Sequence, residues 1–285
     1  MKTINNFKLH MLLITGSTLL IACGGGNQSN PEPAKVTTLS GVMHGGGSSA
    51  GNSGNGSGNG SGNNANNNSN SSPLSCAQLN GLQIPAAIIG LATTGATVTS
   101  TAIVPAAPQQ LYMVGQYCRV FGDIHPVDPN APPIKFQLNL PDNWNHKAMM
   151  YGGGGYNGVL SPLPSGLNNT LISAADHASP LSRGYATFGS NSGHILQPPF
   201  IFGRDASFAV NDEALVNYTG DALKKTHDTA KYLINLYYQS LPQKTYFQGG
   251  STGGKEAMIV MQRWPQDFDG VIALFPTWNS AAMTL

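Results

Sequence analysis

Residues 245–254 read Thr245-Tyr246-Phe247-Gln248-Gly249-Gly250-Ser251-Thr252-Gly253-Gly254. Three β-prone residues run into a serine bracketed by glycines, in the pattern G-x-S-x-G. Helical spacing then takes over: from Gly253 to Arg263 the apolar residues include Ala257, Met258, Val260 and Met261. Strand, tight turn and helix in that order are the setting a nucleophile elbow requires. Gly249 and Gly253 let the backbone turn with no Cβ in the way. Ser251 would stand at the turn with its hydroxyl exposed, facing the N-terminus of the helix, where developing negative charge is favoured. Ser251 is therefore the candidate catalytic residue, and the Thr252 N–H a candidate oxyanion donor.

Working outward, Val271 to Phe275 is a continuous apolar run and predicts a strand buried on both faces. From Asp212 to about Gln239 the apolar spacing is helical, with Leu223, His227, Ala230, Leu233, Ile234 and Tyr237 recurring at three and four, and Pro242 ending the helix. Further upstream, Tyr185 to Phe188 and Ala148 to Tyr151 read as strands. Ile134 to Leu140 alternates apolar and polar, as a strand facing a core on one side does. The order strand, helix, strand, helix, strand toward the C-terminus predicts an α/β fold, a mainly parallel sheet with helices on both sides. Gly152-Gly153-Gly154-Gly155 follows the Ala148–Tyr151 strand, where a second oxyanion donor is expected, from Gly153 or Gly154. Read without that context it is a flexible turn.

The elbow has competitors. Gly47-Ser48-Ser49-Ala50-Gly51 also satisfies G-x-S-x-G, but in low-complexity sequence. A phosphate-binding loop would need Ser or Thr after Lys255, where Glu256 stands and would repel phosphate. His194 could line a cleft or be a packed structural histidine. His227 lies on the apolar face of the long helix and reads as a core residue. Asp228 could cap or form an ion pair there, and Asp267 and Asp269 flank Phe268 in turn or cap positions.

Composition sets the rest. Asp, Glu, Lys and Arg make up only 9% of the 285 residues, with formal net charge +1. No basic patch is available for nucleic acid. Lys2 and Lys8 precede an apolar run from Met11 to Ala22, interrupted by Thr15 to Thr18, that is too short to span a bilayer. Leu20-Ile21-Ala22-Cys23-Gly24 resembles a bacterial lipobox. Residues 1–22 are thus expected to be a lipoprotein signal peptide, with Cys23 lipidated and anchoring the protein to a membrane, at the outer membrane or cell surface. Residues 23–72 are expected to be a disordered linker. From Gly45 to Ser72 only Ala50 and Ala65 are not Gly, Ser or Asn, and such a stretch buries too little apolar surface to order itself. Residues 73–285 form the folded part. With Cys23 acylated, Cys76 and Cys118 are left, and an exported chain is expected to pair them.

Taken together, these residues resemble the tannase and feruloyl esterase family. The likeness runs from about Cys76 to the C-terminus. It is carried by Tyr117-Cys118-Arg119-Val120, Leu140-Pro141-Asp142-Asn143-Trp144-Asn145, Gly152–Gly155 and Gly184-Tyr185-Ala186. It continues through Ser192-Gly193-His194, Ala222 to His227, Tyr237-Tyr238, the Ser251 region, and Pro265 to Gly270. The resemblance implies an α/β-hydrolase that cleaves esters of small aromatic acids, with Ser251 as nucleophile. It also implies a lid domain, often holding Ca²⁺, after the strand near Phe275; no metal or cofactor is expected within this segment.

Three departures from the family pattern stand out. Gly250 occupies the place of a cysteine that members commonly disulfide-link near the catalytic histidine. Asn191 stands where Asp is frequent. All seven histidines precede Ser251, although the triad order in this fold is Ser, acid, His, and 34 residues follow the serine. The expectation is therefore the N-terminal part of an esterase, inactive by itself, truncated before the lid and the last strands, with its catalytic acid and histidine beyond Leu285. The rival readings are a non-catalytic exported lipoprotein and an inactive remnant.

Overall fold

The computed structural model describes residues 72–109, 112–160, 178–196 and 205–278. The expected leader, Cys23 and all of the linker but Ser72 lie outside them. Ten strands are described: β1 (Gln83–Ile84), β2 (Gly95–Val104), β3 (Ala107–Gln109), β4 (Tyr112–Val114), β5 (Tyr117–His125), β6 (Ile134–Pro141), β7 (Lys147–Tyr151), β8 (Ala186–Ser190), β9 (Lys244–Gly250) and β10 (Gly270–Leu274). Eight build one sheet in the order β1-β2-β5-β6-β8-β7-β9-β10, while β3 and β4 pair separately. The strands β8, β7, β9 and β10 run parallel, as the alternation of strand and helix predicts. The N-terminal strands add an antiparallel half, with β6 pairing antiparallel to β8.

The core lies along the central strands. On β5, Cys118, Val120 and Ile124 are buried while Arg119, Phe121 and Asp123 are partly exposed, the period-2 pattern of a strand covered on one side. Gly122 breaks this row for a reason. A Cβ there would fall 2.3 Å from the Phe136 ring, which fills the space on the neighbouring strand. Strand β6 differs from its one-sided reading. Ile134, Phe136, Leu138 and Leu140 are buried as predicted, but Gln137 and Asn139 on the other face are buried too. They are accommodated because Gln137 Nε2 donates to Asn139 Oδ1 at 3.0 Å and Asn139 Nδ2 donates to Thr187 Oγ1 at 3.1 Å.

The long helix predicted from Asp212 is broken. It comprises α1 (Asp212–Val216), a π turn over Asn217–Asp221, and α2 (Ala222–Tyr238). Asn211 caps α1 by accepting the Ala214 N–H at 2.9 Å. Gly220 takes φ +148° in the wide turn, and a Cβ there would meet Arg263 Nη1 at 2.8 Å. The apolar face of α2, including Leu223, Ala230, Leu233 and Ile234, is buried. The helix stops at Gln239, in the left-handed conformation, before Pro242 is reached. Helix α3 (Thr252–Arg263) follows β9 directly.

Cys76 and Cys118 form a disulfide with Cα atoms 5.6 Å apart, tying the segment before β1 to buried β5. The Val271–Phe275 run lies in β10 as far as Leu274, but this is not a strand buried on both faces. Among the described residues β10 pairs only with β9, and Ile272 is 48% exposed. Among the described residues no helix is long and apolar enough to cross a membrane.

Candidate active site

Ser251 sits between the last residue of β9 and the first of α3, with φ +58° and ψ −120°. A side-chain-bearing residue holds such a conformation only where its surroundings impose it. Here they do. The Ser251 N–H donates to Leu274 O at 3.1 Å, and its carbonyl accepts from the Lys255 N–H at 3.1 Å and the Thr277 N–H at 3.2 Å. Chain crossing is so close that a Cβ on Gly249 would lie 2.1 Å from Gly253 O, and one on Gly253 would lie 2.8 Å from Gly153 O. Both glycines are thus required by contact, and the elbow anticipated from the sequence is formed. Gly250 is buried at the end of β9.

The glycine loop lies against this elbow. Gly152 extends the ladder by donating to Gln248 O at 2.9 Å, and Gly153 O accepts from the Gly253 N–H at 3.1 Å. Thr252 Oγ1 donates to Gly155 O. One sequence expectation is corrected here. The Gly153 N–H cannot serve as an oxyanion donor in this arrangement, because it is given to Glu256 Oε2 at 2.7 Å. Gly154 and Thr252 remain as the predicted donors.

Glu256 is the residue the sequence reading missed. It appeared there only as an argument against phosphate. It is 1% exposed, and its Oε1 accepts from Asn157 Nδ2 at 2.7 Å and from Ser192 Oγ at 3.4 Å. Burial pushes its carboxyl up, opposed by these hydrogen bonds and by Lys255. Its spacing carries a signal: Thr252, Glu256 and Val260 recur at four along one helical face, and a lone acid within a buried face needs partners.

The other polar residues make structural contacts, although neither ring nitrogen of His194 has a hydrogen-bond partner among the described residues. Asn191 Oδ1 accepts from the Lys135 and Gly193 N–H groups, and its amide donates to His194 O. His194 is buried, stacked on Phe208 at 3.8 Å and edge-on to Tyr218, and burial lowers its pKa. Lys255 Nζ lies 4.6 Å above the Tyr218 ring, and burial lowers its pKa. Burial, together with Glu256 and Tyr156, pushes the Tyr218 hydroxyl up to about 12. His227 Nδ1 lies 2.9 Å from Asp228 Oδ1, in the core beside Phe268. His227, Asp228 and Asp267 converge as metal ligands could, but the Lys224 ammonium already lies 2.9 Å from Asp228 and 2.7 Å from Asp267. Asp269 accepts the Thr245 N–H and pairs with Lys244. Among the described residues, no side chain hydrogen-bonds Ser251 Oγ.

The family model of tannase and feruloyl esterase matches residues 118–285. The chain belongs to this family. Its sheet and elbow make it an α/β-hydrolase by fold. An uncharacterized esterase of Agrobacterium fabrum is 43% identical over 210 residues, 74% of this chain and 36% of the relative. The mono(2-hydroxyethyl) terephthalate hydrolase of Piscinibacter sakaiensis is 29% identical over 197 residues, covering 68% and 31%. The crystal structure of feruloyl esterase B from Aspergillus oryzae aligns at 25% identity and TM-score 0.49, over 65% of this chain and 35% of that one. The chain thus spans about a third of the length of these tannase and feruloyl esterase relatives.

Proposed function

We propose that the protein hydrolyses carboxylic esters of small aromatic acids, with Ser251 as the nucleophile. The observation that carries this is the Ser251 backbone, held at φ +58° between β9 and α3 by two close glycines. Ser251 Oγ attacks the ester carbonyl carbon while a general base takes its proton. The carbonyl oxygen becomes an oxyanion, which the Thr252 and Gly154 N–H groups receive. Collapse expels the alcohol, protonated by the base, and leaves an acyl-serine. Water, deprotonated by the same base, then releases the acid and restores the serine. His194 is packed against aromatics and His227 against Asp228, so the base is assigned to a histidine outside the described residues.

The aromatic acid class is supported by what the relatives are named for, feruloyl and terephthaloyl esters. Export and a lipid anchor on Cys23 are part of the same proposal, and the Cys76–Cys118 disulfide supports an oxidising compartment. The test is hydrolysis of methyl ferulate and of a terephthalate monoester by the protein and its Ser251→Ala variant. Turnover that falls at least about 10³-fold in the variant is expected. Activity that survives the substitution would remove the assignment.

A further inference from the structure

We propose that Glu256 is a positioning residue that sets the glycine loop for catalysis, by clamping it to the helix that carries Ser251. The inference rests on the esterase reading of that serine.

The argument begins with which groups the loop has committed. Gly153 is held to α3 through both of its backbone groups. Its carbonyl accepts from the Gly253 N–H, and its N–H donates to Glu256 Oε2. Two residues on, Gly155 O accepts from the Thr252 hydroxyl. The peptide between these two anchors carries the Gly154 N–H. With its neighbours fixed on either side, the direction of that donor is set by α3 itself. A donor aimed before the reaction needs no reorientation as the oxyanion forms, which is where this kind of stabilisation gains its size.

The second observation is the backbone around Glu256. Of the six non-glycine residues with positive φ among the described residues, three lie in this region: Ser251 at +58°, Asn157 at +61° and Ser192 at +62°. Asn157 and Ser192 are the other two partners of the Glu256 carboxylate, and Asn157 Nδ2 also donates to Ser192 Oγ at 2.7 Å. One fully buried carboxylate on the helix that follows Ser251 therefore holds the glycine loop at Gly153 and the strained residues Asn157 and Ser192. Such conformations persist only where neighbouring contacts over-determine them. The fit is close: a Cβ on Gly152 would lie 2.8 Å from Glu256 Oε2, and one on Gly153 1.8 Å from Asn157 Oδ1.

The test compares Glu256→Leu with Glu256→Gln in the whole protein. It reads kcat and KM on methyl ferulate per active site, the sites being counted by titration with a phosphonate. Glu256→Leu removes every acceptor at similar size. It is expected to lower kcat per titrated site about 100-fold, as a misplacement of roughly 1 Å does, with KM within about threefold. Glu256→Gln keeps an oxygen for the Gly153 N–H, and once the Asn157 amide turns, its new N–H₂ can donate to Asn157 Oδ1, which has no hydrogen-bond partner in the present arrangement. It is expected to recover most of that loss. A role in folding alone would lower the number of titratable sites and leave kcat per site unchanged, and that result overturns the proposal. So does a glutamine variant as slow per site as the leucine variant. If Glu256→Leu yields no folded protein, Asn157→Ala decides: a kcat per site about 10-fold down at unchanged KM supports the clamp, and an unchanged kcat rejects it. The esterase reading itself fails separately, in Ser251→Ala, which must be inactive for either Glu256 result to count.

Discussion

Gly249→Ala should disable the site from a position that touches no substrate. The new Cβ would lie 2.1 Å from Gly253 O, 2.3 Å from Gly253 C and 2.8 Å from Gly253 Cα, where real Cβ atoms essentially never approach within 3.0 Å. About 0.9 Å must be found, and the obstructing atoms are backbone, so no side-chain rotation can provide it. Gly249 is fixed in β9 by its neighbours β7 and β10, so the first turn of α3 must give way. That turn carries the Thr252 N–H and, through Gly253, the Gly153 carbonyl. A displacement near 1 Å at reacting groups costs about 10²-fold in rate, and the overpacking itself costs about 1–3 kcal/mol of stability. Gly253→Ala is the internal comparison: its Cβ meets Gly153 O at 2.8 Å, so a smaller shift suffices and a smaller rate loss is expected. The assay is kcat on methyl ferulate alongside the rate of phosphonate labelling, with denaturant midpoints to follow stability. A Gly249→Ala protein within twofold of the parent in both rates would refute the contact argument.

Three other outcomes are expected. Reducing the Cys76–Cys118 bond, which closes a chain segment with separation 42, should lower stability by about 4 kcal/mol in the chain-entropy account; an unchanged denaturant midpoint in reductant would contradict it. Asp228 should make stability acid-sensitive. Burial pushes its carboxyl up, but hydrogen bonds from His227, the Gly90 N–H and Lys224, with the Lys224 charge, outweigh burial and hold it below its ordinary value. A depressed folded-state pKa contributes stability above the unfolded value, near pH 4, that is lost as pH falls through the folded one. The stability gap between the parent and Asp228→Asn should therefore be flat above pH 5 and close below pH 4; a gap independent of pH down to 2 would reject the assignment. Labelled palmitate should enter the exported protein and be absent from Cys23→Ala, whereas equal labelling of both would remove the lipid anchor.

What the sequence made legible is what local chemistry dictates. The elbow could be read because its sharp turn needs glycine at fixed offsets; Gly249 meets that need through a contact with Gly253 four residues on, whereas the contact that requires Gly253, with the Gly152–Gly153 loop, is not local. The four parallel strands could be read because each is a compact apolar run next to a turn or a helical period. Strand β2 could not. It breaks alternation where its register shifts between Val98 and Ser100, and Thr99 and Ser100 both face solvent. The π turn escaped because the apolar spacing continues through it, and only the packing of Arg263 on Gly220 shows why that glycine is there. β10 read as doubly buried because an apolar run does not reveal which strands flank it. The fate of the Gly153 N–H was hidden for another reason. Its acceptor, Glu256, lies about 100 residues away in sequence, and the pairing follows from how α3 packs on the loop.

The central claim is that Ser251 is a nucleophile held in a preformed elbow. The most direct measurement is peptide mapping by mass spectrometry after the protein reacts with an aryl phosphonate, with loss of esterase activity followed in the same tube. The account predicts one adduct, on the peptide containing Gly249-Gly250-Ser251-Thr252, rising in step with inactivation and absent from Ser251→Ala. Inactivation with the adduct on another residue, or full activity with Ser251 modified, would contradict it.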